Sequence, residues 1–168
     1  MKTSRKKLLE ESRKRAFQYE MEYSGCCQSV LAALQKTLDL EDRGALRAAS
    51  GLAGGIARRG ETCGALIAAI MAVCQVVGRE KMEDVEQYRA AMEPCGEIYE
   101  KFEKEVGHTN CGEIHKILYG KSFRLHKQEE FEAFLAVGGH GPKGCPVVCG
   151  KAAEIAAGMI LDLRKKKH

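Results

Sequence analysis

The 168-residue chain has no tryptophan, only three prolines and 6% aromatic residues. A sheet-based fold draws on aromatic and β-branched side chains, and no stretch alternates apolar and polar residues over a useful length. A sheet is therefore excluded as the main architecture. No long hydrophobic run is present. The least polar stretch, residues 63–78, is too short and too rich in Gly and Ala to span a bilayer. The basic opening is interrupted by Glu10 and Glu11 and leads into no apolar segment. No secretory leader is expected, and a cytoplasmic protein is. C-x-x-C is absent, which excludes a thioredoxin-like site, and no glycine fingerprint follows a strand to cradle a nucleotide.

What remains is rich in Ala, Leu, Glu and Lys, at 45% apolar and 30% charged residues, as a soluble helical globule requires. The length suits one domain with a sizeable core. The fold class expected is all-α, a single-domain bundle of about six or seven helices. Residues 1–23 read as a basic helical extension, 24–164 as the cysteine-bearing domain and 165–168 as a basic tail. The net charge of +4 is concentrated at the ends, in Lys2, Arg5, Lys6, Lys7, Arg13, Lys14 and Arg15 and again from Arg164 to Lys167. No aromatic residues interleave with that charge. It therefore reads as solvated helix ends, with no nucleic-acid partner expected. A homo-oligomer is compatible with the pattern.

Helical periodicity and punctuation place the elements. A charged helix over 8–23 stops at Ser24-Gly25, and Ser24 is the expected cap of a helix over 26–38. Asp42 caps a short helix, and Gly51, Gly54, Gly55 and Gly60 follow as a flexible, close-approach segment. Thr62 is the expected cap of 63–77, a helix apolar nearly all round and hence central. Pro94 is expected to break or kink the next helix, over 83–106. Asn110 caps 111–118, a short helix covers 129–136, and Cys145-Pro146 opens the last, to about 163.

Eight cysteines in a reducing compartment point to catalysis, metal binding or burial rather than a disulfide scaffold. Four of them, Cys26, Cys63, Cys111 and Cys145, stand where a helix begins. A helix N-terminus offers unpaired N–H groups and partial positive charge, which favour thiolate over thiol. Thiolate is the form that attacks disulfides and ligates metals. Cys63 has the strongest local setting. Arg58 and Arg59 precede it, and Gly64 after it would let a backbone or cofactor approach closely. Cys149 shares a helical face with Cys145, as His115 does with Cys111, where it would serve as base or ligand. His108 and His140 are weaker candidates. Cys27 points about 100° away from Cys26, Cys74 reads as core and Cys95 stays open. Glu61 and Glu113 are explained by helix-end duty alone.

The stretch Gly54-Gly55-Ile56, then Gly60-Glu61-Thr62-Cys63-Gly64-Ala65-Leu66, resembles the C_GCAxxG_C_C family, assigned redox activity on the strength of its cysteines. Cys26 with Gln28 and Val30, Gly107 to Cys111 to Leu118, and Cys145-Pro146 to Ala152-Ala153-Glu154 extend the likeness in order. The resemblance implies four characteristic cysteines, which fall on Cys26, Cys63, Cys111 and Cys145. One departure is Ala68, where the motif closes on glycine.

Three functions follow. The first is thiol–disulfide exchange with an unidentified redox partner protein, Cys63 attacking and its partner drawn from Cys26, Cys111 and Cys145. The second is an iron–sulfur cluster or other thiophilic metal on the same four thiolates, with Cys149 as a further ligand. Gly64, Arg59 and His115 are then the expected cofactor contacts. The third is a non-enzymatic interaction protein whose cysteines serve packing, which leaves their preference for helix starts unexplained.

Overall fold

The computed structural model describes residues 4–40 and 42–166. Lys2 and Lys167 of the basic ends lie outside the described residues. Among the described residues, eight α-helices run in order: α1 (Arg5–Tyr23), α2 (Cys26–Leu38), α3 (Arg43–Ala48), α4 (Gly64–Val77), α5 (Val85–Val106), α6 (Cys111–Tyr119), α7 (Gln128–Ala136) and α8 (Cys145–Lys166). A 3₁₀ turn at Ala49–Leu52 extends α3. The all-α class holds, with no strand among the described residues. The count exceeds six or seven because the short α3 and α7 are helices in their own right. Asp42 caps α3 by accepting from the N–H of Ala45, and α7 is held by its buried Phe134.

The main core lies between α1, α2, α4, α5 and α8. Helix α4 is the central rod: Ala65, Leu66, Ala68, Ala69, Ala72 and Val73 are all buried, as its all-round apolar pattern predicts. Small residues let the rods approach. A Cβ at Gly150 of α8 would sit 3.2 Å from Cγ of Arg13 on α1, closer than ordinary packing allows. Helix α1 lies along α8 and α2, burying Ser12, Ala16 and Glu20 at four-residue spacing. Arg5 reaches Asp162 at 2.7 Å and Arg13 reaches Glu154 at 3.3 Å across that contact. Both pairs are exposed and hold orientation more than stability.

Pro94 does not break α5, which runs unbroken past it. Its missing N–H removes one bond from the ladder. Burial of Ala91, Cys95, Ile98 and Phe102 on the same helix outweighs that loss. A second, aromatic core of Phe123, Leu125 and Phe134, with Tyr119, Phe131 and Cys145 against it, ties α6, α7 and the start of α8 together. No helix among the described residues is long and apolar enough to cross a membrane.

Candidate functional site

Four helix starts meet at one cavity of about 430 Å³, walled by Cys26, Cys63, Cys111, Cys145 and Cys149 among others. Cys26, Cys111 and Cys145 are the first residues of α2, α6 and α8, and Cys63 is the N-cap of α4. Two of these starts are stitched together by backbone. Thr62 and Asn110 form an antiparallel bridge, flanked by N–H bonds from Cys63 to Thr109 O (2.8 Å), Cys111 to Glu61 O (2.7 Å) and Gly112 to Gly60 O (3.0 Å). Thr62 is therefore spent on the bridge and does not cap α4. Ser24 does not cap α2 either: Gly25 takes that place, at φ +85°. A left-handed backbone there suits glycine alone. Asn110 does cap α6, accepting from Glu113 N.

Cys26 is brought onto the start of α4 by Gly64. A Cβ at Gly64 would lie 2.6 Å from the Cys26 sulfur and 2.8 Å from the Leu52 carbonyl oxygen. The close approach expected of Gly64 is thus filled by a cysteine and a backbone. The glycine-rich segment is ordered into a turn of opposite hand: Gly54, Gly55, Ile56, Ala57 and Arg58 all have φ between 50° and 68°. Bonds from Ala57 N to Gly51 O (2.8 Å), Gly60 N to Gly54 O (3.0 Å) and Glu61 N to Gly55 O (3.0 Å) hold it. Left-handed conformation costs about 1–2 kcal/mol at each non-glycine residue, so surrounding contacts must enforce it. The turn directs the Gly54 N–H at the Cys26 sulfur.

The opposite wall is built on His115. Its Nε2 stands 3.7 Å from Cys111 Sγ and 4.0 Å from Cys145 Sγ, while its buried Nδ1 has no partner. Its ring stacks on Phe134 at 5.0 Å between centroids. The Tyr119 hydroxyl donates to Gly139 O at 3.0 Å, accepts from Cys145 N at 3.2 Å and lies 3.8 Å from Cys145 Sγ. At the floor, the carboxylate of Glu20, 1% exposed, pairs with His140 Nδ1 at 2.9 Å and accepts from Ser29 Oγ at 3.1 Å.

A family model described as "Putative redox-active protein (C_GCAxxG_C_C)" matches residues 24–159. The chain belongs to the C_GCAxxG_C_C family. An uncharacterized protein of Archaeoglobus fulgidus is similar to it, 31% identical over 112 residues that cover 62% of this chain and 74% of the relative. No solved structure matches the chain.

In this member of the C_GCAxxG_C_C family, burial reverses the charge state that the helix starts suggest. Desolvation disfavours a thiolate by more than the helix N-terminus favours it. Burial pushes Cys63 to about 11, although the N–H groups of Ala65 and Leu66 pull it down. Burial, the Glu20 carboxylate and Cys63 raise Cys145 to about 12, against the Tyr119 hydroxyl and its own backbone. Cys26 is raised by burial and by the charges of Cys63, Glu20 and Cys111. Cys111 is raised by burial, Cys63, Cys145 and Glu20. With burial the first cause at each of the four sulfurs, all four thiols are protonated at neutral pH. Burial and His140 depress His115 to about 4, so it is a neutral base.

The remaining candidates divide. Cys149 is buried in the cavity wall one turn below Cys145. Cys27 faces the main core, raised to about 12 by burial and Cys63. Arg58 lines the cavity with its guanidinium 4.4 Å over Phe131, whereas Arg59 is exposed and is not a wall. Ala68 lies in the main core, not the cavity, so the departure from glycine tightens helix packing. His108 caps a local turn, accepting from Thr109 N and Asn110 N at 3.0 Å each. Exposed Glu61 contributes its backbone N–H and carbonyl, and Glu113 pairs with Lys116 at 2.6 Å.

Sequence reasoning missed Glu20 and Tyr119. Glu20 had a signal: it continues the small-residue face of Ser12 and Ala16, where a carboxylate needs a buried partner. Tyr119 had none, because its partners come from a distant loop.

Proposed function

We propose that the cavity is a dithiol/disulfide redox centre in which Cys63 attacks and Cys26 resolves. The observation that carries this reading is the seating of Cys26 on Gly64, directly beside Cys63 at the start of α4. Of the four helix-start thiols, Cys63 also has the mildest elevation, because two N–H groups of α4 face its sulfur. Oxidation joins the two sulfurs and sends two electrons and two protons to a disulfide-bearing partner, reduced in turn to a dithiol. Neutral His115 supplies a proton acceptor beside Cys111 and Cys145, a second pair able to accept the exchange.

A second reading draws on the donor set. Sulfur from four helix starts, with partial positive charge at each, fits a thiophilic iron–sulfur cluster held by Cys26, Cys63, Cys111 and Cys145, with Cys149 in reserve. Among the described residues no three His, Cys, Asp or Glu side chains stand close enough to share a single ion. A cluster, which spreads its ligands, suits the cavity better than a lone ion. Bound there, it would supply one-electron transfer.

Anaerobic purification followed by elemental analysis and disulfide mapping separates the two. A colourless, metal-free protein with a mapped Cys26–Cys63 bond after mild oxidation supports exchange. Brown protein with stoichiometric iron and sulfide supports the cluster. Unreactive thiols without metal overturn both.

A further inference from the structure

A second pair of cysteines lies away from the cavity. Cys74 stands near the C-terminal end of α4 and Cys95 in the middle of α5, with their sulfurs 3.6 Å apart. Neither is a cavity wall. We propose that Cys74 and Cys95 form an independent second dithiol, which closes to a reversible disulfide by exchange with low-molecular-weight disulfides from solvent.

The geometry meets the first demand on such a pair. A disulfide needs sulfurs about 2.05 Å apart, and the contact already holds these two within a side-chain rotation of that distance. They sit on neighbouring packed helices, so closure requires no rearrangement of the fold. Exposure assigns the roles. Cys74 is half-buried and reachable, while Cys95 is 8% exposed on the buried face of α5. The proton assigns them the same way. Either sulfur can donate across the contact; with the proton on Cys95, the hydrogen bond stabilises the Cys74 thiolate and lowers Cys74 against burial, while the same bond raises Cys95. Near neutral pH the pair therefore carries one shared proton, with the nucleophile on the accessible side.

The exchange balances in two steps. The Cys74 thiolate attacks one sulfur of R–S–S–R, forming a Cys74–SR mixed disulfide and releasing RS⁻, which takes up a proton. Cys95 then gives up its proton and attacks the Cys74 sulfur, forming the Cys74–Cys95 bond and releasing the second RS⁻, which is protonated in turn. Two electrons pass from the cysteine pair to the small disulfide, and two RSH leave. The bond joins positions 21 apart in the chain and fastens the far end of α4 to α5. Cys63 lies at the other end of α4, so the clamp stiffens the rod that carries the proposed nucleophile without entering its cavity.

The test uses the reduced full-length chain in buffers of rising oxidised-to-reduced glutathione ratio, trapped by alkylation and read by peptide mass spectrometry. The expected product is a Cys74 peptide joined to a Cys95 peptide, lighter by two hydrogens and restored by dithiothreitol. C95S should instead accumulate glutathione on Cys74. The oxidised parent should melt about 5–10 °C above the reduced one. The same cross-link should form in C63S, which separates this pair from the cavity chemistry. Alkylated Cys74 and Cys95 at every ratio, or Cys74 joined to any other cysteine, would overturn the proposal. So would loss of the cross-link in a folded C63S chain. The mapping on the parent chain decides the matter even if C95S fails to fold.

Discussion

Replacing Gly64 with alanine tests the seating of Cys26 at the start of α4. The new Cβ would meet the Cys26 sulfur at 2.6 Å, the Leu52 carbonyl oxygen at 2.8 Å and Cys27 Cβ at 3.3 Å. Comfortable carbon contacts lie near 3.5–4.0 Å, so overlap approaches 1 Å with one backbone atom and one sulfur. A flexible side-chain end would yield cheaply. The 3₁₀ turn that presents Leu52 has no such freedom, because it is continuous with the hydrogen-bonded left-handed turn. Overpacking of this kind costs about 1–3 kcal/mol, and alanine's better helix propensity returns less than about 1. A net loss of about 1 kcal/mol lowers the melting temperature by about 2–4 °C in a chain of this size. Gly96→Ala is the matched control. It sits within α5 with nothing within 4 Å of its Cβ position, so the same substitution should stabilise by about 0.5–1 kcal/mol. Calorimetry on the two variants should show opposite signs. Equal shifts, or a Gly64→Ala protein melting with the parent, would refute the seating.

Three further outcomes follow from the site's electrostatics and hydrogen bonds. In fully reduced protein at pH 8, iodoacetamide should label Cys74 before Cys63, because the contact with Cys95 lowers the half-buried Cys74 whereas burial raises Cys63 to about 11. A time course by mass spectrometry in which Cys63 reacts first would contradict the burial argument. His115 takes its proton at about 4 when folded and near 6.5 when unfolded. Its stabilisation is therefore complete above pH 6.5 and is lost as pH falls toward 4, on the order of 2 kcal/mol after screening. Urea unfolding of His115→Phe across that window should lack this acid loss, and an unchanged pH profile would exclude His115 as its source. Tyr119→Phe leaves the Gly139 carbonyl and the Cys145 N–H without their hydroxyl partner. Because the Cys145 N–H also donates to Gly139 O at 3.0 Å, neither group is orphaned; the change should cost about 1 kcal/mol in denaturant unfolding, and a loss above about 2 would show that the pair depends on the hydroxyl.

The helix boundaries were legible because most are marked by short-range chemistry: Asp42 and Asn110 accept from the expected first-turn N–H groups, and Gly78, Gly107 and Gly120 close α4, α5 and α6. The caps misread were those where tertiary structure competes, Thr62 drawn into the bridge with Asn110 and Ser24 displaced by Gly25. Glycines at 54, 55 and 60 announced an unusual backbone, but nothing local says that Ile56, Ala57 and Arg58 would follow them into left-handed space. That four helix starts might share a cavity was readable as an expectation. The depth of the cavity was not, and depth decides the protonation of its thiols. Contacts such as Cys74 with Cys95 join residues with no common periodicity, so only the packing of α4 on α5 reveals them.

The central claim is that sulfurs from separate helix starts act together as one redox centre, with Cys26 and Cys63 as its working pair. Mapping the disulfides formed on mild oxidation of anaerobically purified protein tests this most directly. The account predicts a bond between Cys26 and Cys63 that dithiothreitol reverses. Protein in which both cysteines stay alkylatable under every oxidising condition, with no metal bound, would contradict it.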